Sequence, residues 1–505
     1  MSTTPREEFI HIGATSPVTS VVRTLFADSE TPMGLYRKLS GGPGSFLLES
    51  ADQAGKWSRY SFIGVSSHGI LTEQGESAVW DDLGMSADDA FGGDIPLLTL
   101  DALDALDTRW RTEALPGLPP FAGGLVGYVA WDAIRELERL DSPPTSVHPV
   151  PRLSMALVRD LAIVDHHSSD VILVSLVHSH EPVNDQDYDE AVARLETMHD
   201  ALREPTSSTL STRVEPELPE PRSNMSKAQF LDMVAAAKRH VADGDVFQVV
   251  LSQRFDASVT ASALEVYRVL RAVNPSPYMY LLECRGADGV PFHVVGSSPE
   301  ALVTVKNDRV YSHPIAGSRP RGATPDEDQQ TAQELRADQK EQAEHLMLVD
   351  LARNDLSRVC VSGSVDVTEF MEIERFSHIM HLVSSVEGDL SPGKTPVDVL
   401  RATFPAGTLS GAPKPRALEI IDDLEPERRG VYGGVVGYLS HSGDADVAIA
   451  IRTVLMRDGV ATVQAGAGIV ADSDPESEYQ ETLHKAAAPL RAVHTANALR
   501  PDGSD

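Results

Sequence analysis

Strand-like segments that follow one another through short turns constrain the fold of this chain most. In its second half, short runs rich in apolar and β-branched residues alternate with helical segments. These predicted strands are 246–251, 278–283, 293–297, 301–306, 435–440, 447–454 and 460–465. Because short turns join antiparallel neighbours whereas parallel neighbours need long crossovers, the sequence predicts a mixed α+β architecture with largely antiparallel pairing.

The first half of the chain contains the same two kinds of segment. Apolar residues at helical spacing predict helices, namely 16–27, 101–115 and 186–203. Short apolar or alternating runs predict strands, namely 45–50, 59–65, 121–128 and two within 153–178.

A polar segment divides the chain into two regions. Residues 204–226 are rich in Pro, Ser, Thr and Glu and offer little to bury, which is typical of a linker. A helix is predicted to begin directly after Ser226. We therefore expect an N-terminal region over 1–203, a second region over 227–495 and a short tail over 496–505.

One short internal similarity is present. The run GGLVGY at 123–128 is similar to GGVVGY at 433–438. Glycines within a strand indicate a bulge or the close approach of another backbone. Six residues leave two explanations open, either two similar glycine-bulged strands or a remote internal duplication.

Composition narrows the class of protein. The chain has 43 Lys and Arg against 75 Asp and Glu, a net charge of −32, which repels nucleic acid and anionic membrane surfaces. Cys284 and Cys360 are its two cysteines, which excludes a disulfide framework and a cysteine-based zinc site and fits a reducing compartment. We see no apolar leader and no long apolar run, so we expect a soluble cytoplasmic protein.

Two predicted helices each carry a pair of glutamates three residues apart. Glu341 and Glu344 lie on a helix over 338–355, and Glu478 and Glu481 lie on a helix near the C terminus. Residues three apart share one helix face, where two carboxylates repel each other. If the helices converge, they form a four-carboxylate cup that suits Mg²⁺ rather than Zn²⁺. On spacing alone, two solvent-exposed acidic faces are the more common interpretation.

Four further segments place polar groups in tight turns and glycine-rich loops, namely 296–300, 314–322, 404–414 and 464–470. Three motifs are specific, namely EHLMLVDLARND at 344–355, HIMHLVS at 378–384 and GTLSGAP at 407–413. Together with the paired glutamates, these motifs strongly resemble those of the chorismate-utilising enzymes, and within that family those of the large subunits (component I) of anthranilate synthases. The resemblance covers at least residues 45–495.

The resemblance implies a two-layered fold, in which largely antiparallel sheets form a sandwich and helices pack outside. It implies a lyase that converts chorismate and ammonia into anthranilate and pyruvate with Mg²⁺, the first committed step of tryptophan biosynthesis, under feedback inhibition by tryptophan. It also implies a glutamine amidotransferase subunit (component II) as partner, in a heterotetramer. Neither Cys284 nor Cys360 lies in a nucleophile-elbow context, so this chain alone is expected to use free ammonia.

Single positions separate the activities within this family. Where aminodeoxychorismate synthases carry a nucleophilic lysine, this sequence has Ala316, and where isochorismate and salicylate synthases carry a water-activating lysine, it has Gln248. Without that base water is a poor nucleophile, whereas ammonia needs none, so anthranilate formation is favoured. Two alternatives are aminodeoxychorismate formation and a catalytically inactive tryptophan-sensing or scaffold protein. The residues that this reaction is expected to need are all present, which argues against an inactive protein; they are Glu300, Glu344, His381, Thr408, Arg452 and Glu481.

The resemblance assigns roles to individual residues. The catalytic residues are Glu300 as general acid, His381 for proton transfer at the ring, and Thr408. The substrate-binding residues are Gly317, Ser318, Tyr432, Arg452, Gly466, Ala467, Gly468 and Lys485. The metal ligands are Glu344 and Glu481, with Glu341 and Glu478 close by or acting through water.

Three details qualify this assignment. Ser318 stands where the family usually has threonine, which keeps the hydroxyl and loses a methyl group. Lys485 is expected either to pair with Glu481 at helical spacing or to contact the substrate. His378 lies at helical spacing from His381 and is expected to serve packing.

The same resemblance implies a tryptophan effector site. The runs LLES at 47–50 and NPSPYM at 274–279 are similar to the feedback motifs of anthranilate synthases. The tryptophan-binding residues are Ser50, Pro277, Tyr278 and Met279. Ser50 offers a hydroxyl, and the others offer backbone groups and an apolar wall for an indole ring. The region over 1–203 is thus expected to carry part of this site.

Overall fold

The computed structural model of the protein describes residues 3–51, 59–115, 117–147, 149–214, 218–375 and 379–501. Its α-helices are α1 (Arg6–Gly13), α2 (Pro32–Leu39), α3 (Ala87–Phe91), α4 (Thr99–Arg109), α5 (Asp185–Arg203), α6 (Lys227–Ala242), α7 (Ala263–Val273), α8 (Pro325–Ala337), α9 (Gln339–Ser357), α10 (Pro396–Thr403), α11 (Lys414–Leu424) and α12 (Pro475–Asn497). A 3₁₀-helix covers Trp131–Glu136.

The β-strands are β1 (Val18–Phe26), β2 (Phe46–Glu49), β3 (Tyr60–Gln74), β4 (Ser77–Asp82), β5 (Gly124–Val129), β6 (Leu153–Asp165), β7 (Asp170–His178), β8 (Ser211–Thr212), β9 (Arg222–Ser223), β10 (Gln248–Ser258), β11 (Tyr278–Arg285), β12 (Pro291–Ser298), β13 (Ala301–Lys306), β14 (Arg309–Ser312), β15 (Ile315–Pro320), β16 (Asp366–Arg375), β17 (Ile379–Asp389), β18 (Gly411–Ala412), β19 (Val435–Ser440), β20 (Ala445–Ile449), β21 (Thr453–Arg457), β22 (Val460–Ile469) and β23 (Arg500–Pro501).

These strands pair in antiparallel fashion throughout the described ranges. One branched sheet contains β1 to β7 and β9 to β22, and β8 pairs with β23. Helices pack against it, with α5 on β1 and β7, α9 on β15 and β17, and α12 on β22 and α7. The predicted α+β class with largely antiparallel sheets is therefore confirmed. No helix of the described ranges is long and apolar enough to cross a lipid bilayer.

The apolar core consists mainly of two large clusters of buried side chains. One includes Phe121, Tyr128 and Phe292, and the other includes Phe255 and Tyr267. Each cluster draws on residues from both the first and the second half of the chain. The two halves therefore bury their apolar side chains together.

Strands from both ends of the chain also share the sheet. Met279 of β11 lies opposite Glu49 of β2, and β5 pairs with β19. Within the predicted linker, β8 pairs with β23 near the C terminus and β9 pairs with β10. Residues before and after the linker thus belong to one hydrogen-bonded framework, and the division at 204–226 stays a prediction.

The helix predicted over 16–27 is wrong. This segment forms β1, which pairs with β7 along its whole length, from Val18 opposite His178 to Phe26 opposite Asp170. Valine and threonine dominate the segment, and β-branched residues suit a pleated strand better than a helix. Pairing with β7 therefore outweighed the helical spacing of the apolar residues.

The strand predicted over 447–454 is interrupted. β20 ends at Ile449 and β21 begins at Thr453, and between them Arg452 has a φ of +52°. A non-glycine residue in this left-handed region costs about 1–3 kcal/mol, so surrounding contacts must hold it. The carbonyl oxygen of Arg452 accepts a hydrogen bond from the N–H of Ser297 at 3.2 Å. The break therefore turns a predicted substrate contact out of the regular strand.

The two glutamate-bearing helices form as predicted. The carboxylate of Asp338 caps α9 by accepting hydrogen bonds from the backbone N–H groups of Lys340 and Glu341. Asp474 caps α12 by accepting a hydrogen bond from the N–H of Ser477. These caps fix both helix starts, so the paired glutamates lie in the first two turns, near the end where the helix dipole favours negative charge.

The two similar glycine motifs are paired with each other. Gly127 of β5 lies opposite Gly437 of β19. A Cβ atom on Gly127 would lie 1.8 Å from the backbone oxygen of Ser154, and one on Gly437 would lie 2.1 Å from that of Asp446. Equivalent glycines thus allow equivalent close approaches to β6 and β20. Close packing explains the motif, and a remote duplication stays a hypothesis.

We predict that Gly437→Ala lowers the free energy of unfolding by about 1–3 kcal/mol, because the added methyl group would overlap a backbone oxygen. Gly93→Ala is the matched control, since no atom lies within 4 Å of the position of its Cβ. Urea denaturation followed by circular dichroism measures both variants. Equal stability of Gly437→Ala and the wild type would contradict this packing.

Candidate active site

Glu300 and Thr408 form a hydrogen-bonded pair where β12 turns into β13. The Thr408 hydroxyl donates to Oε1 of Glu300 at 3.0 Å. Burial raises the pKa of Glu300 to about 7, although the Thr408 hydrogen bond and the positive charge of Lys485 act in the opposite direction. A small cavity of about 50 Å³ beside the pair is also lined by Leu348 and Leu351 of α9. A carboxyl group with this pKa can give or take a proton near pH 7.

His381 lies beside Ser318 on neighbouring strands. Ser318 of β15 is opposite His381 of β17, and the serine hydroxyl oxygen is 2.9 Å from Nδ1 of the imidazole. Nδ1 also lies 3.3 Å from the carbonyl oxygen of Gly317. Burial lowers the pKa of His381, which favours the neutral ring. His381 lies on a strand, although the spacing between His378 and His381 is that of a helix. His378 itself lies outside the described residues.

The glutamates of α9 and α12 act on one another electrostatically. Burial raises the pKa of Glu344, and the negative charges of Glu341 and Glu481 raise it further. Burial also raises the pKa of Glu478, as does the charge of Glu481. The carboxylates of Glu344 and Glu481 therefore lie near enough to interact through space.

Basic side chains offset part of this negative charge. Nζ of Lys485 lies 2.6 Å from Oε1 of Glu481 and donates to the carbonyl oxygen of Gly466 at 3.0 Å. Arg319 donates to Oε1 of Glu341 at 3.1 Å. Of the two roles expected for Lys485, the pair with Glu481 is thus present in the structure.

The carboxylates fit an oxygen-preferring divalent cation by their chemistry. Burial first and the neighbouring glutamates next raise the pKa of Glu344, and a cation would offset both effects. Among the residues that the structure describes, no three carboxylate, imidazole or thiol side chains form a ready-made metal cluster. Glu341 and Glu481 are held instead by Arg319 and Lys485. The Mg²⁺ site therefore stays a prediction.

Arg452 and Tyr432 lie next to these acidic turns. Nη1 of Arg452 donates to the backbone carbonyl oxygen of Lys485 at 3.0 Å. Burial lowers the pKa of Arg452, against the opposing effects of Tyr432 and Glu481. The predicted substrate contacts Arg452, Tyr432 and Lys485 are thus neighbours beside the middle of α12.

The end of β22 closes this neighbourhood with small residues. A Cβ atom on Gly466 would lie 2.8 Å from the hydroxyl of Tyr432, and one on Gly468 would lie 2.5 Å from Nε2 of Gln248. Ala467 between them is fully buried. Glycine at these two positions therefore lets polar side chains approach the strand closely.

The residues assigned to tryptophan binding lie together in a second region, called the effector region below. Met279 of β11 pairs with Glu49 of β2, which brings Ser50 next to Tyr278 across the two strands. The hydroxyl of Ser50 is buried and has no hydrogen-bond partner among the described residues. Pro277 is half-buried directly before β11, whereas Met279 is buried.

Asp446 belongs to this effector region, and sequence analysis missed it. The hydroxyl of Tyr278 donates to Oδ1 of Asp446 at 3.0 Å. Burial raises the pKa of Asp446 to about 6, although hydrogen bonds from Tyr278 and Thr304 lower it. No local pattern marks Asp446, since its role depends on the pairing of β13 with β20.

Sequence analysis also missed a buried ion pair behind the loop that carries Thr408. Arg429 donates to both carboxylate oxygens of Glu425, at 2.9 and 2.7 Å, and to the carbonyl oxygen of Leu409 at 2.7 Å. Its guanidinium carbon lies 5.7 Å from the ring centre of Tyr432. The pair therefore connects the Thr408 loop to Tyr432. Its four-residue spacing was the available signal.

Comparison with known proteins identifies the family of this chain. The sequence profile of the chorismate binding enzymes matches residues 69–491. The anthranilate synthase component 1 of Arthrobacter globiformis is 52% identical over 505 residues, which cover 98% of this chain and 93% of that protein. That of Mycolicibacterium smegmatis is 49% identical over 98% of this chain and 95% of that protein. This chain belongs to the chorismate-binding enzymes, in the group of anthranilate synthase component 1.

Solved structures show the same fold for this family. Anthranilate synthase component I from Streptococcus pneumoniae superposes with a TM-score of 0.74 at 35% identity, covering 93% of this chain and 99% of that one. A menaquinone-specific isochorismate synthase from Escherichia coli superposes with a TM-score of 0.69 over 95% of each chain, and its 20% identity shows the fold alone. The architecture expected from the family resemblance is therefore confirmed.

We predict that Thr408→Val raises the pKa of Glu300 above about 7, because the hydrogen bond that lowers it in the wild type is lost. Glu300 then stays protonated to higher pH. Infrared difference spectra of each protein against its Glu300→Gln counterpart, recorded over a pH series, measure the carboxyl titration. Thr403→Val is the matched control, since Thr403 donates to the carbonyl oxygen of Val399 instead. A pKa at or below the wild-type value in Thr408→Val would contradict this assignment.

Proposed function

We propose that this chain forms anthranilate and pyruvate from chorismate and ammonia in a Mg²⁺-dependent reaction. The observation that carries this proposal is Glu300, whose pKa of about 7 suits a general acid and which is acted on by the charge of Lys485, the ion-pair partner of Glu481 on α12. The charge of Lys485 acts on the pKa values of both Glu300 and Glu344. On the other side, a Cβ atom on Gly317 would lie 3.0 Å from Oε2 of Glu341. These shared neighbours support a single substrate space lined by the assigned residues.

Chorismate carries two carboxylates, which the net charge of −32 would repel without local cations. Arg452 is assigned to the enolpyruvyl carboxylate, because its guanidinium reaches this space and forms no ion pair within the described ranges. Tyr432 and the backbone at 466–468 complete the same wall. Gly317 and Ser318 contribute the opposite wall.

Glu344 and Glu481 are assigned to Mg²⁺, with Glu341 and Glu478 close by or acting through water. When bound, Mg²⁺ would neutralise the ring carboxylate of chorismate and draw electrons from the ring. Glu481 would then give up its contact with Lys485, which frees that ammonium group to face the substrate.

Proton transfer is assigned to Glu300 and His381. Glu300 protonates the hydroxyl that leaves C4 while ammonia adds at C2, a contribution worth about 10²–10⁴-fold in rate. Thr408 orients this carboxyl group through its hydrogen bond of 3.0 Å. His381 is neutral because burial lowers its pKa, so it can accept the proton from C2 as pyruvate departs. Ser318 orients the imidazole through Nδ1.

Ammonia is proposed to come from a glutaminase partner of the component II type, in a heterotetramer. Burial raises the pKa of Cys284 to about 12 and that of Cys360 to about 11, the opposite of what a nucleophilic cysteine needs. Gln248 and Ala316 replace the lysines of the alternative chemistries. We place this reaction in the cytoplasm, as the first committed step of tryptophan biosynthesis.

Tryptophan is proposed to inhibit the reaction by binding in the effector region, at Ser50, Pro277, Tyr278 and Met279. The buried, unpartnered hydroxyl of Ser50 supports this assignment, because a bound ligand would complete its hydrogen bonding. Tyr278 pairs across the β11–β12 ladder with Ser298, whose hydroxyl accepts a hydrogen bond of 3.3 Å from the N–H of Glu300. One short path therefore joins the effector site to the general acid.

The test is to incubate the purified chain with chorismate, ammonium and Mg²⁺ and to follow fluorescence. Anthranilate fluoresces, whereas aminodeoxychorismate does not aromatise without a lyase. We predict that Glu344→Gln lowers Mg²⁺-dependent turnover more than the about 10–100-fold typical of groups that only support a metal ligand. The matched control is Glu334→Gln, an exposed glutamate on α8, which should keep full activity. Absence of anthranilate with the wild type, or full turnover by Glu344→Gln, would overturn the proposal.

We predict that Ser50→Phe leaves turnover intact and abolishes tryptophan inhibition, because the added ring fills the effector pocket. Inhibition curves with increasing tryptophan at fixed chorismate measure the effect. Ser208→Phe is the matched control at an exposed serine and should keep normal inhibition. Unchanged inhibition in Ser50→Phe would show that Ser50 does not line the effector site.

A further inference from the structure

A cleft of about 470 Å³ lies apart from the catalytic and tryptophan residues. It opens between α4, α5 and the strands β3, β6 and β7. The side chains that matter here are His68, Arg109, Trp110, Arg159, His178 and Arg194. None of them has a role in the proposed reaction or its inhibition, so the cleft needs its own explanation.

His68 on β3 is a buried imidazole without a partner. Its residue is 9% exposed, and neither ring nitrogen has a hydrogen-bond partner among the described residues. Its ring meets that of His178 edge to face, with centres 4.7 Å apart. Burying unsatisfied polar nitrogens costs about 1–3 kcal/mol, so the cleft favours a ligand that pairs with them.

Arg159 on β6 adds a positive charge that is not in direct contact with a carboxylate, although the charges of Asp160 and Glu190 act on it at longer range. Its Nε is buried and unpartnered, and it forms no ion pair within the described ranges. The neighbouring Arg194, by contrast, donates to Oδ1 of Asp160 at 3.1 Å and to the carbonyl oxygen of Leu176 at 2.7 Å. The half-buried guanidinium of Arg159 therefore keeps hydrogen-bonding capacity that a carboxylate could use.

Carboxylates also line the cleft. Glu181, Glu190 and Asp89 are exposed, and Asp187 is a further acidic lining residue. A dianion such as phosphate would be repelled by these carboxylates. A ligand that carries one carboxylate and one ammonium group matches both ends.

We propose that this cleft binds the zwitterionic backbone of a small amino acid. The carboxylate lies against Arg159 and His68, and the ammonium group lies against Glu181 and Glu190. The neutral imidazole of His68 donates one N–H to the carboxylate. Because the site shares no residue with the reaction, this proposal stands independently of the proposed function.

The test is calorimetric titration of the full chain with L-alanine, acetate and inorganic phosphate. We expect saturable binding of L-alanine at one site per chain, with acetate and phosphate at least about tenfold weaker because each lacks half of the charge match. Arg159→Met should weaken L-alanine binding at least about tenfold, as expected for loss of a hydrogen bond to a charged group. Arg203→Met, an exposed arginine at the end of α5, is the matched control and should bind normally.

Two further measurements keep the result decisive. Ser50→Phe should bind L-alanine normally, which separates this cleft from the tryptophan site. Arg159→Met should keep its melting temperature and its anthranilate formation, and if it does not fold, Arg159→Gln, which also removes the charge, replaces it. No saturable L-alanine binding, binding unaffected at Arg159, loss of binding in Ser50→Phe, or equal binding of acetate or phosphate would each overturn the proposal.

Discussion

The mutual repulsion of carboxylates on α9 and α12 is the constraint on which the catalytic region depends. Glu344 and Glu478 both have raised pKa values, with burial as the first cause and neighbouring glutamates as the next. The fold holds α9 in place at its far end, where Lys414 and Asp355 form a buried ion pair of 2.6 Å. Such a pair is strongly destabilising to break, so α9 cannot swing away to relieve the repulsion. Negative charge is therefore concentrated where a divalent cation would be most stabilising.

The groups around this acidic centre are placed by backbone geometry. Antiparallel pairing sets Ser318 opposite His381, and the break between β20 and β21 turns Arg452 into a left-handed conformation. The buried Arg429 holds the loop after Thr408 through the carbonyl oxygen of Leu409. Each of these contacts joins segments far apart in the chain. Catalytic geometry thus follows from the sheet framework more than from any single motif.

The sequence predicted what depends on local patterns. The two glutamate-bearing helices, the paired glutamates and the antiparallel strands all follow from composition, spacing and short turns. It did not predict what depends on distant partners. β1 is a strand because β7 lies beside it, and the segment 447–454 is broken because Arg452 is held by Ser297 and by Lys485 of α12.

The candidate site shows the same division. Motifs and family resemblance named Glu300 and Thr408, yet the hydrogen bond between them and the burial that raises the pKa of Glu300 required the fold. Asp446 was missed because its contact partner, Tyr278, lies 168 residues away in the sequence. The basic partners Arg319 and Lys485 likewise show which glutamates are already engaged.

The central claim is that α9 and α12 together bind one divalent cation. Electron paramagnetic resonance of Mn²⁺, used in place of Mg²⁺, measures this directly in the presence of chorismate. One bound Mn²⁺ per chain in the wild type, lost in the double variant Glu344→Gln/Glu481→Gln, is the result that we predict. Mn²⁺ binding that is absent in the wild type, or unchanged in the double variant, would contradict the claim.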